Sequence, residues 1–352
     1  MINNKILLNP KKKIAVAMSG GADSTYTAYI LKKEGFDVIG VTAKFFLAPN
    51  SKQCHQNIKA IQNNAKKIGI KHHFIDLSKA FKQDVVNYYL DEYQSCQTPN
   101  PCVVCNQKIK FGLLFEKMLK LGATLIATGH YAKIVETPEG QMIYKAKDKS
   151  KDQSYFLWKL PKKKLNHILF PLGNRAKKEV IEEVKKIGLK ISPSESQDVC
   201  FLAGQTNQQF LKKYLKSSPG KIIDQTGKVL GKHLGLFNYT IGQRHNLGLN
   251  SPQPFYVLEL NCHENMLVVG SKNDLLSKEF DIDEVNWFVD DPEKIHHLKV
   301  KTRYRQQEIG CHLHHYHVSL EKDISAITPG QSAVFYDGER LIGGGIIKKV
   351  YK

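Results

Sequence analysis

No stretch of this 352-residue chain approaches the roughly 18 consecutive apolar residues of a membrane span, so helical membrane proteins are excluded. Carboxylates are scarce: 33 Asp and Glu stand against 52 Lys and Arg, a formal charge of +19. A field of that size draws polyanions, nucleic acid first, although a lysine-rich composition raises charge without any partner. Seven cysteines in a chain that reads as cytosolic argue against a disulfide framework, which leaves thiol chemistry or metal ligation for those that cluster. There is no low-complexity tract and no solenoid repeat. The opening run MINNKILLNPKKKIAVAM lacks the basic-then-apolar order of a secretory signal, so a cytoplasmic protein without a membrane partner is expected. What remains is ordinary globular material, 41% apolar and 24% charged, and long enough for two or three domains.

The first third repeats strand then helix. Apolar runs at Lys13–Met18, Asp37–Ala43, His73–Leu77 and Ala123–Gly129 read as strands. Between them, helical stripes end at Gly35 and Gly69, and Ser78 is read as a helix N-cap. This alternation predicts an α/β fold with a doubly wound parallel sheet. From Gly220 onward, short alternating segments are divided by the turn signals DQTGK, DGER and TPGQ, which predicts β-structure as small barrels or sandwiches. The expected division is 1–210 as a nucleotide-binding domain, 211–275 as a small central domain and 276–352 as a C-terminal β-barrel.

MSGGADST (Met18–Thr25) lies between the first strand and the first helix. Gly20 and Gly21 permit close backbone approach to an anion, and the helix start supplies N–H donors. Ser19 and Ser24 add hydroxyls, while Asp23 suits a cation or a cap. The G-x-x-x-x-G-K-[ST] pattern and its lysine are absent, so the loop suits pyrophosphate recognition better than γ-phosphoryl transfer. S-G-G-A-D-S resembles the pyrophosphate loop of the ATP-pyrophosphatase superfamily, whose members adenylate a carbonyl oxygen; the loop alone does not choose among them.

TPNPCVVCNQKIKFG (Thr98–Gly112) sets Cys102 and Cys105 three apart. Pro99 and Pro101 are read as holding the chain extended to Cys102. Phe111, Leu114, Phe115 and Met118 at helical spacing place a helix start near Cys105. A thiol there, with Lys108 and Lys110 nearby, is expected to shift toward thiolate. A closed zinc site needs four ligands. Cys54, Cys96, Cys200, Cys262 and Cys311 supply no second pair, and strand alternation splits the histidines of CHLHHYH (Cys311–His317).

Seven motifs occur in one order: NPCVVCN, ATGHYAKI, KDQSYFL, SQDVCF, YTIGQRHNLG, KTRYRQ and TPGQSAVFYDGE. In that order, over nearly the whole chain, the sequence is similar to the bacterial tRNA-specific 2-thiouridylase family. The resemblance implies ATP-dependent 2-thiolation of the wobble uridine in tRNAs for Lys, Glu and Gln. ATP with Mg2+ would bind Ala17, Met18, Ser19, Gly20, Gly21, Ala22, Asp23 and Ser24, with Ala43 and Gly129. Cys200 would carry a persulfide delivered by a sulfur-relay protein or cysteine desulfurase. Cys105 would be the nucleophile, leaving a transient Cys105–Cys200 disulfide. Asn100, Pro101 and Cys102 would meet the target base, and Lys151, Asp152, Gln153, Arg303 and Tyr304 would meet tRNA.

Two departures bear on this. Many members have aspartate where Cys102 stands. Cys102, Cys105 and Cys200 together offer three thiolates, enough for a [4Fe–4S] cluster with one open iron, which would carry sulfide instead of a persulfide. Asn246 replaces a usual glycine, so a different bend is expected there. Two other classes compete. A non-catalytic, metal-containing RNA-binding protein would bind tRNA without producing AMP. Another adenylating enzyme, such as an amidotransferase, would complete turnover with ammonia or glutamine.

Overall fold

The computed structural model describes residues 12–45, 53–190 and 199–351, with side chains of 53–57 outside the description. Contacts divide the chain into two units: 1–85 with 102–203 and 339–341, and 86–101 with 204–338 and 342–352. The segment 86–101 therefore belongs with the β-rich second unit, although it lies within the first third of the sequence.

In the first unit, β1 (Lys13–Ala17), α1 (Ala22–Lys33), β2 (Asp37–Lys44), α2 (Gln53–Ile68) and β3 (Lys71–Asp76) alternate as expected. A helix follows as α3 (Pro101–Val104), a π-helical stretch Cys105–Leu114 and α4 (Phe115–Lys120). Then come β4 (Leu125–Ala127), a short fifth strand β5 (Ile168–Leu169) and α5 (Lys177–Ile187). The parallel sheet runs β3-β2-β1-β4-β5. Ile14, Ala15 and Val16 of β1 have no exposed surface, as expected of a strand covered on both faces. Strand order reverses between β1 and β4, and the crevice at such a switch point is where open α/β sheets bind ligands. The loops after β1 and β4 both open there. Ser78 is not the cap it was expected to be. It is the first residue of its helix, and its N–H donates to Asp76 Oδ1 at 2.9 Å.

In the second unit, β6 (Gly220–Ile223), β7 (Val229–His233), β8 (Tyr256–Asn261) and β9 (Met266–Gly270) form a sheet in the order β8-β9-β6-β7. Within it, Asn246 has φ +61°. That is the left-handed conformation glycine favours and asparagine tolerates, so asparagine here holds a backbone conformation of the kind a glycine would adopt. The strands β10 (Leu276–Trp287), β11 (Leu298–Lys301), β12 (Ile309–His314), β13 (His317–Ser325), β14 (Ser332–Asp337) and β15 (Arg340–Tyr351) follow in the order β10-β13-β12-β11-β14-β15. Pairing of β10 with β15 closes them into a barrel. Burial alternates along β12: Ile309, Cys311 and Leu313 point inward, and His312 and His314 outward. Cys311 is a core thiol whose pKa burial pushes up to about 12.

Among the described residues one disulfide, Cys96–Cys262, joins residues 166 apart within this unit. Composition argues against a framework of disulfides, and one bridge is not a framework, but nothing in the sequence announces this pairing. The helix Tyr88–Gln94 delivers Cys96 to the turn between β8 and β9, a proximity that no local spacing encodes. Removing a disulfide of this loop length typically costs about 2–4 kcal/mol. Cys262→Ser should lower the melting temperature by about 5–15 °C, as should reduction. Identical melting with and without reductant in calorimetry would contradict a formed bridge.

Candidate active site

The glycine loop owes its shape to its own hydroxyls. Gly20 has φ +86°, which a side chain resists, and Gly21 is the N-cap of α1. Ser24 Oγ accepts from Ser19 N–H at 3.1 Å and lies 3.2 Å from Ser19 Oγ. The first turn of α1 leaves backbone N–H groups directed into the loop, a ready anion site. Ser19 is exposed, while Gly21, Ala22 and Asp23 are half-buried, so an arriving phosphate has access. Gly129 closes the other side: a Cβ there would stand 2.8 Å from both Asp23 C and Ser24 N. Ala43, at the end of β2, is half-buried.

Several groups that hold this loop were not identified from the sequence. Lys177 Nζ lies 2.8 and 2.7 Å from the two carboxylate oxygens of Asp23, and Tyr131 O–H donates to Asp23 Oδ1 at 2.9 Å. Thr42 O–H donates to the Met18 carbonyl at 2.7 Å and faces His72 Nε2 at 2.9 Å. With Thr42 donating to Met18, the imidazole must supply the proton of the second bond, which assigns the Nε2–H tautomer. Burial lowers the His72 pKa to about 4, so the ring stays neutral. The one available signal was the lysine missing from the loop, which implies a cation from elsewhere in the chain.

The C-x-x-C segment differs from expectation in two respects. Pro101 does not extend the chain but opens the helix: its fixed φ suits the first helical position, where its missing N–H costs nothing. Cys102 therefore sits in the first turn, and Cys105 lies one turn in, where the π-helical stretch begins. The expected thiolate is overturned as well. Burial pushes Cys105 up to about 12, against the lowering influence of Lys110. Burial likewise raises Cys102 and takes Cys200 to about 11. Cys105 is buried, while Cys102 and Cys200 keep exposed surface.

These thiols sense one another. Cys200 and Cys102 both raise Cys105, and Cys102 raises Cys200. Cys200 opens a short helical turn, Cys200–Leu202. Its preceding residues 191–198 lie outside the described residues, as does the side chain of Cys54. The three-thiol donor set is chemically suited to a [4Fe–4S] cluster. Among the described residues, however, no group of three or more His, Cys, Asp or Glu is arranged to hold a metal ion. As they stand, these cysteines do not fit the cluster.

A resting thiol with so high a pKa reacts slowly with electrophiles. Labelling of Cys105 by iodoacetamide, followed by mass spectrometry, should rise about tenfold per pH unit from pH 7 to pH 10, without the plateau an ordinary thiol shows above about 8.5. A plateau below pH 8 would contradict the burial argument.

The residues expected to meet tRNA are not alike in placement. Asn100 is buried, and Pro101 lies within the helix start. Asp152 is spent inside the first unit, accepting from Ala146 N–H at 2.8 Å and from Ser154 O–H at 2.7 Å. Gln153 Oε1 accepts from Tyr131 N–H at 3.0 Å, and Lys151 is half-buried beside them. In the second unit, Arg303 donates to the Ala326 carbonyl at 2.9 Å and to Thr328 Oγ1 at 2.8 Å. Tyr304 carries Lys301 Nζ 5.9 Å above its ring. Asp152, Gln153 and Arg303 thus have clear structural work.

Three family models match in succession: a tRNA methyl transferase HUP domain at 12–204, a tRNA methyl transferase PRC-barrel domain at 208–271 and an aminomethyltransferase beta-barrel domain at 277–347. The chain is 41% identical to "tRNA-specific 2-thiouridylase MnmA 2" of Thermoanaerobacter pseudethanolicus, over 97% of this chain and 99% of that protein. It is 40% identical to "tRNA-specific 2-thiouridylase MnmA" of Halothermothrix orenii, over 96% and 99%. A solved "U34-tRNA thiolase NcsA from Methanococcus maripaludis with its [4Fe-4S] cluster" overlaps at TM-score 0.39 and 18% identity, over 60% of this chain and 71% of that one, a likeness too low to inform the site.

Proposed function

The chain belongs to the tRNA-specific 2-thiouridylase family, and from that premise we propose that it converts the wobble uridine of tRNA to 2-thiouridine at the expense of ATP. The observation that carries the proposal is the occurrence, in one unit, of an anion-binding loop at the sheet's switch point and three free thiols, Cys102, Cys105 and Cys200.

In the proposed chemistry, the Ser19–Ser24 loop and Gly129 hold ATP with Mg2+. The uridine C2 oxygen attacks the α-phosphorus, pyrophosphate leaves, and the oxygen becomes part of an AMP leaving group. A persulfide on Cys200, supplied by a relay protein or cysteine desulfurase, carries the sulfur. Its terminal sulfur bonds to C2 as AMP departs with the C–O electron pair. Cys105, held as a neutral thiol, acts second. It attacks the Cys200 sulfur and loses its proton to solvent. The S–S electron pair passes to the sulfur on C2, leaving 2-thiouridine and a Cys105–Cys200 disulfide for an external dithiol to reduce.

Cys102, in the first turn of the same helix, would face the base together with Asn100 and Pro101. We assign the tRNAs for Lys, Glu and Gln as substrates. Phosphate contacts would come from Lys151, Tyr304 and the net positive charge, with Asp152, Gln153 and Arg303 shaping the surfaces beside them. The division 1–210, 211–275 and 276–352 is proposed as catalytic, linking and tRNA-gripping parts, and the cytoplasm as the compartment. No helix among the described residues is long and apolar enough to cross a membrane. Incubation with unmodified tRNA, ATP, magnesium and a persulfide donor should yield 2-thiouridine and AMP together. tRNA binding with no AMP would instead identify a non-catalytic RNA-binding protein.

A further inference from the structure

We infer that Lys177 is the phosphate ligand that replaces the lysine missing from the loop, and that Asp23 holds it in reserve until nucleotide arrives. The inference rests on the ATP-binding reading of this site and adds a residue to it. Lys177 Nζ contacts both Asp23 oxygens, at 2.8 and 2.7 Å, and the residue is only 8% exposed. A buried ammonium on a carboxylate at the mouth of an anion site is a device to be explained. Its position is well fixed: Lys177 opens α5, and its backbone N–H donates to Asp148 Oδ2 at 3.0 Å. The Asp23 carboxylate is also held by Tyr131 O–H, and its backbone abuts Gly129. The pair therefore lies at the junction of the two loops that flank the switch point.

The balance of charge sets the order of events. An Asp23 carboxylate in the loop repels a polyphosphate unless a cation lies on it. With Lys177 alone the pair is neutral, and the loop offers the phosphates only N–H and O–H groups. With nucleotide present, Asp23 would be the carboxylate to hold its accompanying Mg2+, and Lys177, released from that carboxylate, would turn its ammonium to the phosphate oxygens nearby. As the bond between the α-phosphorus and its bridging oxygen breaks, the electron pair passes to pyrophosphate. A desolvated ammonium is worth most against that developing charge.

The test is equilibrium binding of inorganic pyrophosphate and, separately, of AMP to the full chain, with magnesium or with EDTA, for wild type, Lys177→Arg, Lys177→Met and Asp23→Asn. With magnesium, Lys177→Met should bind pyrophosphate at least tenfold more weakly yet bind AMP within threefold of wild type, and Lys177→Arg should recover most of the loss. In EDTA, Asp23→Asn should bind pyrophosphate more tightly than wild type, because Lys177 no longer has a competing carboxylate. Unchanged pyrophosphate binding in Lys177→Met would overturn the inference. Equal loss of pyrophosphate and AMP would overturn it too, since that marks a merely structural lysine. A wild-type protein that binds neither ATP nor pyrophosphate would instead remove the nucleotide reading on which the inference rests.

Discussion

Cys200→Ser should lower 2-thiouridine formation by about three orders of magnitude or more while leaving ATP-dependent adenylation of tRNA within a few-fold of wild type. A hydroxyl forms no persulfide, so the sulfur has no carrier, and loss of a covalent nucleophile leaves only the binding machinery. The nucleotide contacts are untouched, because the loop is held by Ser19, Ser24 and Asp23 and not by Cys200. Pyrophosphate release measured beside nucleoside analysis separates the two halves. Cys105→Ser should differ in kind. The terminal sulfur still reaches C2, but nothing displaces Cys200, so a covalent enzyme–tRNA adduct should accumulate, sensitive to added dithiol. Loss of pyrophosphate release in Cys200→Ser would show that the cysteine has a structural role at the nucleotide site.

Gly129→Ala carries the second large effect, an expected loss of ATP affinity of about 10–100-fold. The added methyl would stand 2.8 Å from Asp23 C and Ser24 N. Both are backbone atoms, so no side chain can swing aside. Either the loop after β4 retreats or the start of α1 shifts, and overpacking of this kind typically costs about 1–3 kcal/mol. In either case the N–H groups of the first turn move from the phosphate positions. Overall stability should fall less than affinity, because the distortion lies in the loops beyond the carboxyl ends of β1 and β4 and not in the paired strands themselves. Titration with ATP, read beside thermal melting, distinguishes the two. Unchanged affinity would mean that the loops do not close over the nucleotide here.

How much of the fold is legible in the sequence depends on range. β1 and β2 are short apolar runs because a parallel strand is covered on both faces, and each is visible within its own five to eight residues. The SGGADS loop is a local string whose backbone demands are met by its own glycines. β5, with two residues, carries no periodicity at all. Pro101 misled because a fixed φ serves an extended chain and a helix start equally well. The charge state of Cys105 misled for a different reason. Lys108 and Lys110 are visible in sequence, whereas the packing that outweighs Lys110 comes from residues far away. Lys177 with Asp23, and Cys96 with Cys262, are separated by 154 and 166 residues, and no spacing rule reaches so far. Arg303 is expected at tRNA only because its segment resembles the family's; its bonds to Ala326 and Thr328 appear only in the fold.

The central claim is sulfur transfer through a persulfide on Cys200, with Cys105 as the resolving thiol and no iron. It is tested most directly by assaying 2-thiouridine formation with aerobically purified, chelator-treated protein, given unmodified tRNA, ATP, magnesium and a persulfide donor, with and without iron–sulfur reconstitution. Product from the iron-free protein, at a rate that reconstitution does not raise, is the expected result. Product only after reconstitution would contradict the account and make Cys102, Cys105 and Cys200 cluster ligands.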